Sequence, residues 1–560
     1  MTVSDGAGRR SGGARWGVDR WTLGALVIAA MILTPLLAVG WMALFPTENI
    51  WPHLLDTVLP TYVGNSLALM ATTGLGAAMI GAGGAWLTVM KSFPGRRFFD
   101  WALLAPLAIP AYIGAYALVD FFEYAGPVQV ALRDIFGWTS SRDYWFPEVR
   151  SFWTASFVIT LSLYPYVYLL ARAAFREQSV CALEVSRSLG KGPWGTFFFV
   201  ALPLARPAIA AGVAIVMMET LNDFGAVDFF AVRTLTSGVF SVWLESSNVG
   251  GAAQISCVML VFVLALLGLE RFGRRGKRYH AMSRRYRPIE PEPLRGLTAW
   301  AATGLCAFPL IFGFAMPVGV LLSHAATRPE NWFNPAFWEA LARTLALGGT
   351  AAAVAVGAGL FLAFGARRSS RAAPRMIAQA TMIGYAAPGA VLAVGVLIPL
   401  AALDRTIHYA ALDLFGFGTG LLLTGSAFAV IFAYVVRFNA IAYGALDGAF
   451  GRITPSMDMA ARTLGESAGG ALRRVHLPLI SGSMVTAAML IFVDAVKELP
   501  ATLILRPFNF STLATHVYDY ASREHLDEAA PAALAIIVVG LVPVTILIRG
   551  LAGRRPGETF

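Results

Sequence analysis

The chain has 560 residues, of which 57% are hydrophobic and 14% charged, and its mean hydropathy is +0.64. Soluble domains carry roughly 25% charged residues, and apolar runs long enough to cross a bilayer recur along this chain, so a large soluble core is excluded for want of polar faces to cover it. The net charge of +10 falls mostly on one side of the predicted spans, which makes it a topology signal and not a nucleic-acid footprint.

Residues 1–21 form a basic tail and 22–44 the first span. The apolar segment is too long for a signal peptide, and no small-residue cleavage site follows it. An outer loop (45–62) leads to span 2 (63–90), which ends at Lys91, Arg96 and Arg97. Span 3 (99–119) contains Pro106 and Pro110 and is expected to kink, since proline leaves a carbonyl unpaired. An outer segment (120–150), span 4 (151–171), an inner stretch (173–206), span 5 (207–222), an outer loop and span 6 (251–269) complete the first half. A linker, 270–297, carries nine Lys and Arg with Pro288, Pro291 and Pro293; its basicity holds it inside, in reach of anionic lipid.

The second half repeats the plan, with spans near 299–323, 342–365, 376–401, 417–436, 480–496 and 530–548, and a short tail at 550–560. Ten of the 43 Lys and Arg fall outside: Arg133, Arg142, Arg150, Arg233, Arg328, Arg343, Arg405, Lys497, Arg506 and Arg523. The expected fold is an all-α integral membrane protein. Its twelve transmembrane helices form two parallel six-helix repeats (22–269 and 298–549), with both termini cytoplasmic and an axis along the membrane normal between the halves.

One inner stretch appears twice. Glu184 to Pro203 is too polar to span a bilayer, and its second copy begins 275 residues later at Met459. Arg187 pairs with Arg462, Gly190 with Gly465, and Leu202-Pro203 with Leu477-Pro478. The spacing predicts a short helix with Val185 and Leu189 on its apolar side, broken at the glycine. A short helix carried outside the membrane with an apolar surface fits a groove in a soluble partner; the alternative is an interfacial helix resting on lipid.

Glu184, Gly190, Val200, Leu202 and Pro203, with Gly465, Val475, Leu477 and Pro478 in the second copy, resemble the cytoplasmic coupling motif of binding-protein-dependent ABC transporter permeases. The resemblance implies that the two short helices dock into grooves of a homodimeric ABC ATPase, which would hold the ATP and magnesium, while this chain binds no cofactor. It also implies a periplasmic substrate-binding protein on the outer face and a bacterial inner-membrane location. One departure is clear: the usual glutamate position is Met459, with Asp458 one residue earlier. The stretches Leu221 to Val227 and Lys497 to Leu503 resemble ferric-iron-type permeases, whose fused duplication is shared with thiamine-type permeases. Ferric iron is thus the implied cargo, with thiamine, a polyamine or a phosphonate as alternatives.

Asp223 and Glu498 hold matching places just beyond span 5 of each half, with Glu219, Asn222, Asp494 and Lys497 beside them. Ionisable groups at membrane depth are costly unless they pair or line water. The cluster therefore reads either as a translocation mouth or gate, or as an ion-pair network packing the two fifth spans. The i,i+3 spacing permits an Asp494–Lys497 pair, and Lys497 could also meet Glu498 or Asp223. Hard ferric iron favours carboxylate and phenolate oxygens, but no compact set of them stands out. Tyr62, Tyr112 and Tyr164 read as packing residues, and His476, beside Leu477-Pro478, as local packing. The seven histidines are scattered and the three cysteines (Cys181, Cys257 and Cys306) are far apart, so no metal set or disulfide framework is read.

No Gly-x-x-x-x-Gly-Lys-Ser/Thr loop occurs, so the chain reads as a permease and not an enzyme. An ion-coupled secondary transporter is the rival; it would need no repeated exposed helix and would place an ionisable residue deeper in a span.

Overall fold

The structure is a computed structural model and describes residues 20–178, 184–186, 188–274, 291–369 and 371–552. Among the described residues it is all helical apart from one two-residue strand pair. Eleven helices are long and apolar enough to cross a membrane. In the first half they are span 1 (Trp21–Leu44), span 2 (Leu59–Met90), span 4 (Phe152–Arg176), span 5 (Pro193–Asn222) and span 6 (Val249–Leu269). In the second they are span 7 (Leu297–Thr327), span 8 (Pro335–Arg368), span 9 (Gly389–Phe415), span 10 (Ala427–Phe450), span 11 (Ala468–Val496) and span 12 (Leu526–Thr545). Span 3 is the broken pair Arg96–Ala108 and Ala111–Phe136, bent by 96°. The proline argument anticipated a kink there. The break is larger because Ala105–Ala108 tightens to a 3₁₀ turn and Ile109 is extended ahead of Pro110, as residues before proline tend to be.

The packing repeats between halves. Span 2 lies against spans 4 and 5, and span 8 lies against spans 10 and 11 in the same way. Span 1 packs on span 6 and crosses to span 9 of the other half; span 7 packs on span 12 and crosses back to span 3. Individual contacts repeat as well. The Ser66 hydroxyl accepts the Leu235 N–H at 2.9 Å, and the Thr344 hydroxyl accepts the Leu513 N–H at 2.8 Å. Thr234 and Thr512 each head a capping box, and Ser151 and Ser426 cap spans 4 and 10. These equivalences point to a duplicated repeat.

Close helix crossings hold each half together. A Cβ on Gly81 would come within 2.8 Å of the Tyr168 nitrogen, and one on Gly359 within 2.9 Å of the Tyr443 nitrogen. Backbones approach there because no side chain intervenes, which is how helices pack where lipid offers no hydrophobic drive.

Spans 5 and 11 start earlier than the sequence expectation, at Pro193 and Ala468, and spans 9 and 10 start later. Span 10 was expected at 417–436, but Gly416, Gly418, Gly420 and Gly425 occupy a turn whose N–H groups at Leu422, Leu423 and Thr424 bond the Asp404 carboxylate. The helix therefore starts after Ser426 and runs to Phe450. Arg437, counted with the inner charges when the span ended at 436, is consequently a mid-helix residue. Span 9 is also interrupted, the pieces Ala373–Ala380 and Ile383–Ala386 preceding Pro388. The linker's end is pinned to span 2: Lys91-Ser92 pairs in parallel with Glu292-Pro293, and Lys91 Nζ meets Glu292 at 2.6 Å.

Candidate functional site

The helices that carry the duplicated motif end alike. The helical turn at 184–186 and the helix Pro455–Thr463 both close on a left-handed glycine, Gly190 at φ +80° and Gly465 at φ +82°. The N–H that follows reaches back five residues in each, Lys191 to Ser186 O at 3.1 Å and Glu466 to Ala461 O at 3.0 Å. This bond belongs to the Schellman motif, for which glycine is the residue of least strain. Arg187 lies outside the described residues. Glu184, Arg462 and both glycines are exposed.

The apolar side chains on these turns face out: Val185 is 55% exposed, Leu189 75%, Met459 60% and Leu464 83%. Exposed large apolar side chains grouped on a polar segment mark a surface that meets something. After each turn the chain enters span 5 or span 11 through a widened turn, Leu202 N–H bonding Phe197 O and Leu477 N–H bonding Leu472 O. Pro203 and Pro478 explain both, since a proline ring displaces the carbonyl four residues back. Leu202, Pro203 and Leu477 are half-buried there, and Pro478 is exposed.

Asp458 and Met459 divide the place of one glutamate. Met459 points outward, whereas Asp458 accepts from Arg367 at 2.7 Å and meets His476 Nε2 at 2.6 Å. Burial raises the Asp458 carboxyl, but the hydrogen bonds from Arg367 and His476 outweigh it and hold the group below the usual carboxylate range. His476 itself packs edge-on to Phe364 and Phe450. Asp458 therefore ties the second short helix to spans 8 and 11.

The second region is a cavity of about 130 Å³ between the halves. Glu219, Asn222, Asp223, Asp494, Lys497 and Glu498 all line it. Span 5 and span 11 end at the same level, so Glu219 matches Asp494, Asn222 matches Lys497 and Asp223 matches Glu498. Both acids at the ends bond the helix that follows: Asp223 Oδ1 accepts from Ala226 N–H at 2.9 Å and Glu498 Oε1 from Ala501 N–H at 3.2 Å. Asn222 Oδ1 reaches across the halves to accept from Gly389 N–H at 2.7 Å.

Lys497 pairs with Asp494 at 3.0 Å, the i,i+3 pair that the spacing permits. Glu498 instead pairs with Arg437 at 2.8 Å, with both side chains under 10% exposed. Arg437, Tyr166 and Tyr385 complete the wall and were missed from sequence. Arg437 was hidden by the misplaced end of span 10, while the tyrosines carry no signal that separates lining from packing. Tyr112, read as packing, does pack among apolar neighbours but also lines the cavity, its hydroxyl without a partner. Tyr62 and Tyr164 sit in apolar clusters. Among the described residues, no three His, Cys, Asp or Glu are placed to hold a metal ion together.

Residues 74–278 match the family described as binding-protein-dependent transport system inner membrane component. The chain is 26% identical over 490 residues to an Fe(3+)-transport system permease protein of Haemophilus influenzae, covering 87% of this chain and 89% of that one. It is 27% identical over 205 residues to a molybdenum transport system permease protein of Escherichia coli, covering 34% of this chain and 86% of that one. It is also 29% identical over 203 residues to the sulfate transport system permease protein CysT of Escherichia coli, covering 34% and 69%.

Proposed function

We propose, for a chain that belongs to the binding-protein-dependent transport system inner membrane component family and is an ABC-transporter permease subunit with no catalytic role of its own, that its two six-span repeats move ferric iron inward. The two short helices at Glu184 and Pro455–Thr463 are its cytoplasmic coupling surfaces, each meeting one subunit of a homodimeric ATPase. A periplasmic binding protein delivers the cargo to the opposite face, and the cavity between the halves is the path. Both termini lie in the cytoplasm, on the side to which the predicted loops bring most of the Lys and Arg.

The observation that carries the reading is the paired exposure of Leu189 and Leu464 beside glycines at matching left-handed positions. A protein that needed only to span lipid has no use for two such turns. Coupling then follows from thermodynamics: ATP-driven closure of the partner moves the spans only if the partner binds the inward- and outward-facing states with different affinity. Iron is the finer part of the reading. It rests on the match to the Fe(3+) permease over most of both chains, and the shorter matches are to proteins named for molybdenum and sulfate.

One observation favours the ion-coupled carrier. Glu219 and Arg437 are ionisable groups inside spans, as such a carrier would require. Co-purification of the chain with its ATPase, followed by uptake in liposomes, decides between the two. The permease reading expects a complex with two ATPases whose activity rises with the loaded binding protein and falls when Gly190 or Gly465 is replaced. Uptake that continues without ATP and collapses with an uncoupler would overturn it.

A further inference from the structure

We infer that the central cavity is a charge filter for cationic cargo, in which Glu219 and Asp223 of the first half supply the unneutralised negative charge. This rests on the transport reading above and adds the class of cargo that the path accepts. The observation is an asymmetry between duplicated positions. In the second half both acids have a cation: Asp494 pairs with Lys497, and Glu498 with Arg437. In the first half the positions that match those cations are Asn222 and Ser162, and both line the same cavity. Glu219 and Asp223 thus face it with no salt-bridge partner within 4 Å among the described residues, while Asn222 is spent on Gly389. Four carboxylates and two cations line one small space.

A second, independent feature points to an occupant. Tyr112 is 4% exposed, lines the cavity and has a hydroxyl without a hydrogen-bond partner. Buried polar atoms are rarely left unpaired unless something else comes to them. A phenolic oxygen beside carboxylates suits a cation or the waters around it. Among the described residues, no three acidic or imidazole ligands converge on one point, so the filter works by its field, with the cargo keeping its own water or carrier ligands. Acidic linings select cations in this way, and a low-dielectric wall focuses their field. Ferric iron, thiamine and polyamines satisfy the filter; a phosphonate or sulfate does not.

The test uses the full importer, with its ATPase and binding protein, in cells offered labelled ferric iron, thiamine, spermidine, a phosphonate or sulfate in turn. Uptake of one of the three cations, reduced about tenfold or more by the pair Glu219→Gln and Asp223→Asn while the ATPase still co-purifies, is the expected result. Asp223→Glu, which keeps the charge, restores uptake with the Glu219 carboxylate present. Unchanged cation uptake in the double amide variant overturns the filter. So does uptake of the phosphonate or sulfate, and either result leaves the permease reading standing. Failure of the unaltered chain to hold an ATPase removes that reading, and the filter with it.

Discussion

At Asp458 a single carboxylate helps to hold the short helix Pro455–Thr463. Its oxygens meet Arg367 on span 8 and His476 at the entry to span 11, which ties the helix to both spans. The carboxyl is held below its ordinary value. A group depressed on folding contributes fully above its unfolded pKa of about 3.9 and loses the contribution as pH falls through the lower folded value. The ATPase complex is therefore expected to be indifferent to this group across the neutral range and to weaken only in strong acid. Asp458→Ala removes the tie at any pH, at a cost on the order of 1 kcal/mol for a partly exposed network. Faster hydrogen exchange at Met459–Thr463 in that variant, with the spans unchanged, is the readout. A loss that set in near neutrality would refute the assignment to Asp458.

At the scale of the helices, two crossings hold the repeats. Gly81 and Gly359 sit where spans 2 and 4, and spans 8 and 10, come closest, and an added Cβ on either would press on backbone atoms. Backbone cannot swing aside as a long side chain can, so Gly81→Ala and Gly359→Ala should each separate the pair and destabilise by about 1–3 kcal/mol. Gly83 and Gly357, with nothing within 4 Å of the added Cβ, are the controls; equal melting of all four variants in detergent would refute the crossing argument. Which glycines serve helix contact was not legible in the sequence, because crossing points depend on how two helices rotate against each other. The break of each short helix at Gly190 and Gly465 was legible, since that pattern is local, while the left-handed geometry of the two glycines came with the structure. Span 10 went the other way. The stretch Phe417 to Ser426 reads as the start of a span, yet its glycines and the Asp404 carboxylate turn it into a loop, and Arg437 was lost with it. Which acid meets which base was legible only in part: the spacing offered the Asp494–Lys497 pair that forms, whereas Arg437 and Glu498 are brought together only by the fold.

At the scale of the whole molecule, the halves are joined beyond the cavity by side chains that bridge them: Arg150 Nη2 to Glu524 at 2.7 Å, Tyr518 Oη to the Asp228 carboxylate at 2.7 Å, and His324 to Asp120 at 2.9 Å. These partners lie on the side away from the Gly190 and Gly465 turns, among the segments that the charge pattern assigns to the outer face. Burial raises the Asp228 carboxyl, only partly offset by the hydrogen bond from the Tyr518 hydroxyl. Partly exposed pairs of this kind are each worth about 1 kcal/mol or less. If cargo passes between the halves, holding Asp228 and Tyr518 together should stop it. Asp228→Cys with Tyr518→Cys, in a chain whose three native cysteines have been replaced, can be bridged by a bifunctional maleimide. Uptake should cease on bridging and persist when each cysteine is capped singly, while the ATPase stays bound. Uptake that survives the bridge would place the path elsewhere, and the closing of these outer contacts would then belong to packing and not to transport.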